Sequence, residues 1–287
     1  MKILWDSDIF NKLLMKTYPR VLTIAGSDSG GGAGIQADIK SISATGSYAA
    51  SAITAITVQN TVGVSGVHPV PVETIVGQID AVLDDIGADA VKIGMLSSVE
   101  VVLAVRDALL KHGIDNIVLD PVMVATSGDR LIEESAVQVL SEELAPIARV
   151  LTPNIPEAEI LSGMKITSQD DLPEVARRLS EAVSARGSRK VSVLMKAGHL
   201  KEEKLVDYFY NAEDGHLLEL ESRRVHSVNT HGTGCTLSSA FASYLAQGLS
   251  LDDAAREAKN YIARAIESGA DYSIGHGHGP VNHFWNR

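Results

Sequence analysis

The chain has one cysteine in 287 residues, so it cannot build an internal disulfide framework, and this fits a reducing cytoplasm. Basic residues are in deficit. Lys and Arg number 25 against 36 Asp and Glu, a formal charge of -11. With no basic block, the chain lacks the footprint that nucleic-acid binding needs. No apolar run reaches transmembrane length, so no membrane association is expected. The pattern G-x-x-x-x-G-K-[ST] does not occur, which excludes a P-loop. What is present suffices for a core: 45% of residues are hydrophobic and 21% charged. The length suits one large α/β domain or two small ones.

Residues 1–20 read MKILWDSDIFNKLLMKTYPR. There is no long apolar stretch and no small-residue cleavage site, so they do not read as a secretory signal. Asp6 and Asp8 argue against a transit peptide. Ile9, Leu13 and Leu14 fit a short amphipathic turn. Met15 stands just before the first convincing strand, as expected if translation starts upstream of the usual place. The expected organisation is an N-terminal extension over 1–20 and a single domain over 21–287.

From there strands and helices alternate. Strands are expected at 21–25, 49–58, 90–95, 116–123, 150–152 and 190–195. Helices are expected at 35–44, 73–86, 98–112, 133–144, 172–185, 234–247 and 251–268. Segments 205–211 and 216–221 flank Asp214-Gly215 and read as a β-hairpin. Ser250 and Asp253 form a plausible capping box for the last helix. Such alternation predicts an α/β fold, a mostly parallel sheet with helices on both faces. Ligands then bind beyond the carboxyl ends of the strands. No repeat and no clear linker interrupts the chain.

Two glycine segments carry the strongest local signal. Asn229-Thr230-His231-Gly232-Thr233-Gly234-Cys235 closes a polar stretch and opens a helix. Small residues at Gly232, Thr233 and Gly234 let the backbone approach a ligand, and the helix start aims N–H groups and a positive dipole end at it. That makes an anion hole suited to a phosphoryl group in flight. Cys235 falls in the first turn, where a thiolate is favoured. Taken alone, such a turn can equally be a helix cap. The second segment, residues 26–34, follows the first strand. Within it Gly32-Ala33-Gly34-Ile35-Gln36-Ala37 matches the letters of a dinucleotide fingerprint. The next strand ends in Gln59-Asn60 instead of a carboxylate, which argues against that role. What remains is a loop that folds close over a small substrate.

In this order the chain carries IAGSDSGGGAGIQAD, AITVQN, VKIGML, LDPVM, TPNIPEAE, VLMKAGHL, NTHGTGC and GPVNHF. Over about residues 20–284 it resembles the hydroxymethylpyrimidine (phosphate) kinases of thiamine biosynthesis, within the ribokinase-like superfamily. The resemblance implies a three-layer α/β/α fold and a cytoplasmic, ATP- and Mg2+-dependent kinase. Its substrates would be 4-amino-5-hydroxymethyl-2-methylpyrimidine and then its monophosphate. The resemblance also implies a homodimer. By the same match Gln59 binds the pyrimidine, and Gly26, Asp38 and Met95 occupy substrate-pocket positions. Asn154 and Glu157 match an N-x-x-E motif that organises magnesium and phosphates, with Asp120 beside them. Cys235 holds the base position, where related kinases place an aspartate. The chain departs from the family in one segment: Ala125-Thr126-Ser127-Gly128 stands where a lysine is usual, with Arg130 nearby.

Each of these residues also has a local reading. The Gln59 amide offers a donor and an acceptor side by side, which suits an aminopyrimidine edge, yet it can also close a turn. Met95 can be core filler. Asp38 can be solvated on its helix. Asp120 ends an apolar strand and needs a cation, donors or water if buried. Glu157 is well placed near a helix N-terminus. Lys196 follows a strand and is fitted to reach a phosphate. Lys259 is one charge on a charged face. His276, His278 and His283 lie among glycines without other soft ligands, which argues for a loop and against a metal site. Three rivals follow: a pyridoxal kinase or dual kinase, a cysteine hydrolase using Cys235 and a histidine, and a non-catalytic pyrimidine-binding regulator.

Overall fold

The computed structural model describes residues 16–123 and 132–286. Most of the N-terminal extension, Met15, and the segment with Thr126 and Arg130 lie outside the described residues.

Among these residues nine strands form one sheet in the order β3-β2-β1-β4-β5-β6-β7-β8-β9. They are β1 (Arg20–Asp28), β2 (Tyr48–Gln59), β3 (Val64–Pro69), β4 (Ala90–Ile93), β5 (Ile117–Leu119), β6 (Val150–Leu151), β7 (Ser192–Met195), β8 (Lys204–Asn211) and β9 (His216–Arg223). Strands β2, β1, β4, β5, β6 and β7 run parallel. The edges are antiparallel: β3 on β2, then β8 on β7 and β9 on β8. The helices are α1 (Gly34–Ala44), α2 (Val72–Asp85), α3 (Val99–Lys111), α4 (Glu134–Val139), α5 (Ile155–Ser162), α6 (Leu172–Ser184), α7 (Thr233–Ala246) and α8 (Leu251–Gly269).

The period-two alternation of the strands sorts the layers. Leu22, Ile24, Ile117, Leu119, Leu151 and Val193 pack on one face with α2, α3, α4 and α6. Their neighbours Val21, Val118, Val150 and Leu194 pack on the other with α1, α7 and α8. A strand buried on both sides reads as a continuous apolar run, as these do. Helix α7 is almost wholly buried, and its Ser238, Ser239, Ala240 and Ala242 allow close approach. Phe241 meets Phe209 of β8 with ring centroids 5.7 Å apart. This is the three-layer α/β/α fold. Among the described residues no helix is long and apolar enough to cross a membrane.

Some boundaries differ from the expectation. The apolar runs at 90–95 and 116–123 are only partly strand, because the chain leaves the sheet while Met95 and Met123 stay buried. The helix expected over 133–144 is α4 followed by a π turn, Leu140–Leu144, ahead of Pro146, which has no N–H to extend the ladder. Strand β3 was not expected. At Ser250 the Asp253 N–H donates to the hydroxyl at 3.1 Å, and that hydroxyl donates to the Asp253 carboxylate.

Candidate active site

One cavity of about 710 Å3 opens at the carboxyl ends of the parallel strands. Gln59, Gly26 and Met95 line it, as do Gly232, Thr233, Gly234 and Cys235, and Asp120, Asn154, Glu157, Lys196 and Lys259.

The first glycine loop is wound around a carboxylate. Gly30, Gly32 and Ala33 donate their N–H groups to Asp28 at 2.7, 3.0 and 2.8 Å. His231 Nε2 lies 2.8 Å from the same carboxylate. Burial works to raise the Asp28 pKa, but the His231 hydrogen bond and the loop N–H groups outweigh it and hold it low. The two glycine segments touch here. Gly232 has φ +78°, and a Cβ on it would stand 1.8 Å from the Gly32 carbonyl oxygen. A Cβ on Gly32 would meet the His231 ring at 2.4 Å. Glycine is therefore required on both sides of the contact for space, and at Gly232 for conformation as well. The sequence gives no hint of the Asp28–His231 pair, which spans 203 positions. Asp28 does carry a local signal, since Asp28-Ser29-Gly30 places an Asx residue two positions ahead of glycine, a turn-forming pattern.

The substrate-pocket candidates do not all meet. Gly26 leaves room for Met95, whose sulfur would lie 3.0 Å from an added Cβ. Gln59 approaches His231 at 3.5 Å and Thr57 at 2.9 Å. Asp38 is neither solvated nor on the cavity wall. It is fully buried behind it. Its oxygens are taken by Lys92 Nζ (2.9 Å to each), the Thr23 hydroxyl (2.6 Å) and the Ser239 hydroxyl (2.7 Å). The resemblance implies a pocket position for Asp38, and its helix alone would allow water, but α1 is covered by α7. Lys92 was missed altogether. Its signal was a lone charge inside the apolar strand Ala90–Ile93, which demands a buried partner. Burial works to lower the Lys92 pKa, but the Asp38 carboxylate overcomes it, so Lys92 stays protonated.

Helix α7 starts at Thr233 behind Gly232, with no side chain capping it. A Cβ on Gly234 would lie 3.2 Å from Lys196 Nζ and 3.5 Å from Asp120 Oδ2. The helix start thus faces an ion pair, Lys196 to Asp120 at 2.9 Å. The Thr152 hydroxyl adds 3.0 Å to the same Asp120 oxygen. Burial works to raise the Asp120 pKa, but Lys196 and Lys92 hold it low. Burial likewise opposes the charge on Lys196, and Asp120 and Glu157 keep it protonated.

Asn154 and Glu157 form a reciprocal capping box at the start of α5. The Glu157 N–H donates to Asn154 Oδ1 at 3.0 Å, and the Asn154 N–H donates to Glu157 Oε2 at 2.8 Å. Glu157 is buried, and burial, aided by Asp120, pushes its pKa up to about 7 against the pull of Lys196. Lys259 is not a free surface charge. It binds Asp207 at 2.6 Å, and the other Asp207 oxygen accepts the Ala197 N–H at 2.8 Å, which braces the backbone after Lys196.

The favoured thiolate at Cys235 is not found. Although the side chain borders the cavity, burial pushes its thiol up to about 11, and the pull of Lys92 only partly offsets this. The helix N-terminus does not outweigh desolvation here. The hydrolase reading loses its base, since His231 is engaged with Asp28 and Gln59. His276 and Gly277 donate backbone N–H groups to Thr61, as loop residues do. His283 sits beside Thr236, with its pKa lowered by burial to about 4. Among the described residues no three His, Cys, Asp or Glu side chains group to hold a metal.

The family description "Phosphomethylpyrimidine kinase" matches residues 28–282. A hydroxymethylpyrimidine/phosphomethylpyrimidine kinase of Rhizobium meliloti is 49% identical over 92% of this chain and 96% of that one. The thiamine biosynthesis bifunctional protein ThiED of Geobacter sulfurreducens is 50% identical over 93% of this chain, which spans 53% of its length. Among solved structures, an ADP complex of Bacillus subtilis pyridoxal kinase superposes with TM-score 0.83 at 36% identity, covering 93% of this chain and 98% of that one. The phosphomethylpyrimidine kinase of Clostridium difficile 630 gives TM-score 0.73 at 44% identity, over 86% and 99%. The cavity with its Gln59 amide, uncapped helix start and Lys196–Asp120 pair therefore sits in a chain that belongs to the phosphomethylpyrimidine kinase family.

Proposed function

We propose that this chain transfers the γ-phosphoryl group of ATP to the hydroxymethyl group of 4-amino-5-hydroxymethyl-2-methylpyrimidine, and then to the resulting monophosphate. The observation that carries the reading is that one cavity is lined by Gln59, by the start of α7 and by the Lys196–Asp120 pair. An acceptor ring at Gln59 and a triphosphate at Lys196 would meet at Gly232, Thr233 and Gly234.

Catalysis rests on position and charge, as phosphoryl transfer generally does. The α7 N-terminus stabilises charge that develops on the transferring group. Lys196, kept protonated, faces the same point. Lys259, through Asp207, fixes the backbone that carries Lys196. Cys235, which lines the cavity at the first turn of α7, would take the proton of the attacking hydroxyl. Mg2+ fits the donor set, since Asp120, Asn154 and Glu157 offer hard oxygen atoms and Glu157 is a buried carboxylate short of a counter-charge. The ion would neutralise phosphate charge when bound. Those three residues would hold it, directly or through water.

Pyridoxal is the second acceptor to test, because pyridoxal kinases superpose over nearly the whole chain. The chain is proposed to work in the cytoplasm as a homodimer. Ile56 and Val58 stand exposed on one face of the β2–β3 edge, a surface suited to a second copy. The test of the reading is ADP release in a coupled assay with the pyrimidine, its monophosphate and pyridoxal, with and without chelator. Turnover of both pyrimidines that stops in chelator supports it. Turnover of pyridoxal alone replaces it with the pyridoxal reading.

A further inference from the structure

Thr57 precedes Gln59 by two residues on β2, so both side chains share the face toward the first glycine loop. The Thr57 hydroxyl lies 2.9 Å from the Ser27 carbonyl oxygen and 2.9 Å from the near end of the Gln59 amide. It is buried, and it owns one proton. It cannot donate to both. The far end of the amide is 3.5 Å from His231 Nε2, which lies 2.8 Å from the Asp28 carboxylate. A ring nitrogen that close to an ionised carboxylate carries its proton there, so His231 Nε2 is a donor.

Two arrangements follow. In the first, Thr57 donates to the Gln59 carbonyl, the Ser27 carbonyl loses the hydroxyl, and the Gln59 amide nitrogen faces a second donor at His231. In the second, Thr57 donates to Ser27 and accepts from the Gln59 amide nitrogen, and the Gln59 carbonyl faces His231 and the cavity. The amide ends differ by a half-turn that heavy-atom positions do not distinguish. The second arrangement makes one more hydrogen bond and removes a donor–donor contact. One net hydrogen bond is worth about tenfold in population.

We infer that Thr57 is a positioning residue that sets the orientation of the Gln59 amide, with its carbonyl toward the ligand, and so selects a ring that presents an amine there. The inference rests on the reading of Gln59 as the ring contact. An aminopyrimidine edge offers a donor beside an accepting ring nitrogen. Its 4-oxo counterpart, as the lactam, offers an acceptor beside a donating ring nitrogen. An amide free to rotate pairs with either, whereas an amide held by Thr57 pairs with the first.

The experiment compares kcat/KM for the 4-amino substrate and its 4-oxo analogue in the wild type, Thr57→Val, Thr57→Ser and Gln59→Leu. Valine keeps the shape of threonine and removes the hydroxyl, and serine restores it. Thr57→Val is expected to cut the preference for the amine about tenfold, and Thr57→Ser to return it. A merely structural role of Thr57 would slow both substrates alike and leave the ratio unchanged. An unchanged ratio in Thr57→Val, with the ratio lost in Gln59→Leu, overturns the inference while sparing Gln59. A ratio that survives Gln59→Leu overturns the inference together with the reading beneath it.

Discussion

Glu157→Gln should make the ligand-free protein more stable, by an amount that grows with pH. Glu157 is buried beside Asp120, and its pKa rises from 4.5 to about 7 on folding. The folded state thus holds this proton more tightly than the unfolded chain. The stability tied to that proton is full below pH 4.5 and is lost as pH rises through about 7. Ionising Glu157 in the folded protein therefore costs about 3 kcal/mol above that range. Glutamine cannot ionise, and it can still complete the capping box, since glutamine serves at that position as glutamate does. The variant should match the wild type near pH 4 and exceed it by up to about 3 kcal/mol near pH 8.5. The assay is urea denaturation in chelator across that range, followed by circular dichroism. A stability difference that does not change with pH would refute the reasoning. The same variant should lose turnover with MgATP, since it lacks the charge that attracts the cation. Stability and activity then move in opposite directions, as expected of a strained functional carboxylate.

Three other outcomes are expected. Lys92→Met should leave the Asp38 carboxylate buried without its cation and cost about 3–5 kcal/mol in urea denaturation; a loss below about 1 kcal/mol would show that the pair is not the buried pin it is taken for. Cys235→Ala should slow phosphorylation of the alcohol by about 10²-fold, the low end for a general base, because the thiol is held protonated near neutral pH. The monophosphate, already mostly ionised with a second pKa of about 6, should suffer much less, and equal losses in kcat/KM for the two substrates would reject the base role. A chain that starts at Met15 should fold and turn over normally, as read by thermal unfolding and ADP release, and lost activity would show that the preceding residues matter.

The layers were legible because the parallel strands bury both faces and the intervening helices keep a helical period. Strand β3 was not, since Val64–Pro69 mixes Ser65, Gly66, His68 and Pro69 with two valines on an exposed edge, where no apolar pattern is required. Gly232 and Gly234 were legible as a place where backbone comes close to something, though the same letters fit a helix cap. The contact of Gly232 with Gly32 was not, because only folding brings residues 200 positions apart together. The same limit hid the Asp28–His231 pair. Asp38 shows the converse: its helix position suggested water, but burial was decided by α7, which arrives from the far end of the sequence. Cys235 was misjudged in charge because local helix position was visible and desolvation was not.

The most direct measurement follows the phosphorus. The protein is mixed with MgATP and the hydroxymethyl aminopyrimidine, and 31P NMR is recorded over time. A monoester signal should rise first, then give way to the paired signals of a diphosphate ester as ADP accumulates. A reaction that stops at the monoester, or ATP that stays intact while pyridoxal is phosphorylated, would contradict the account.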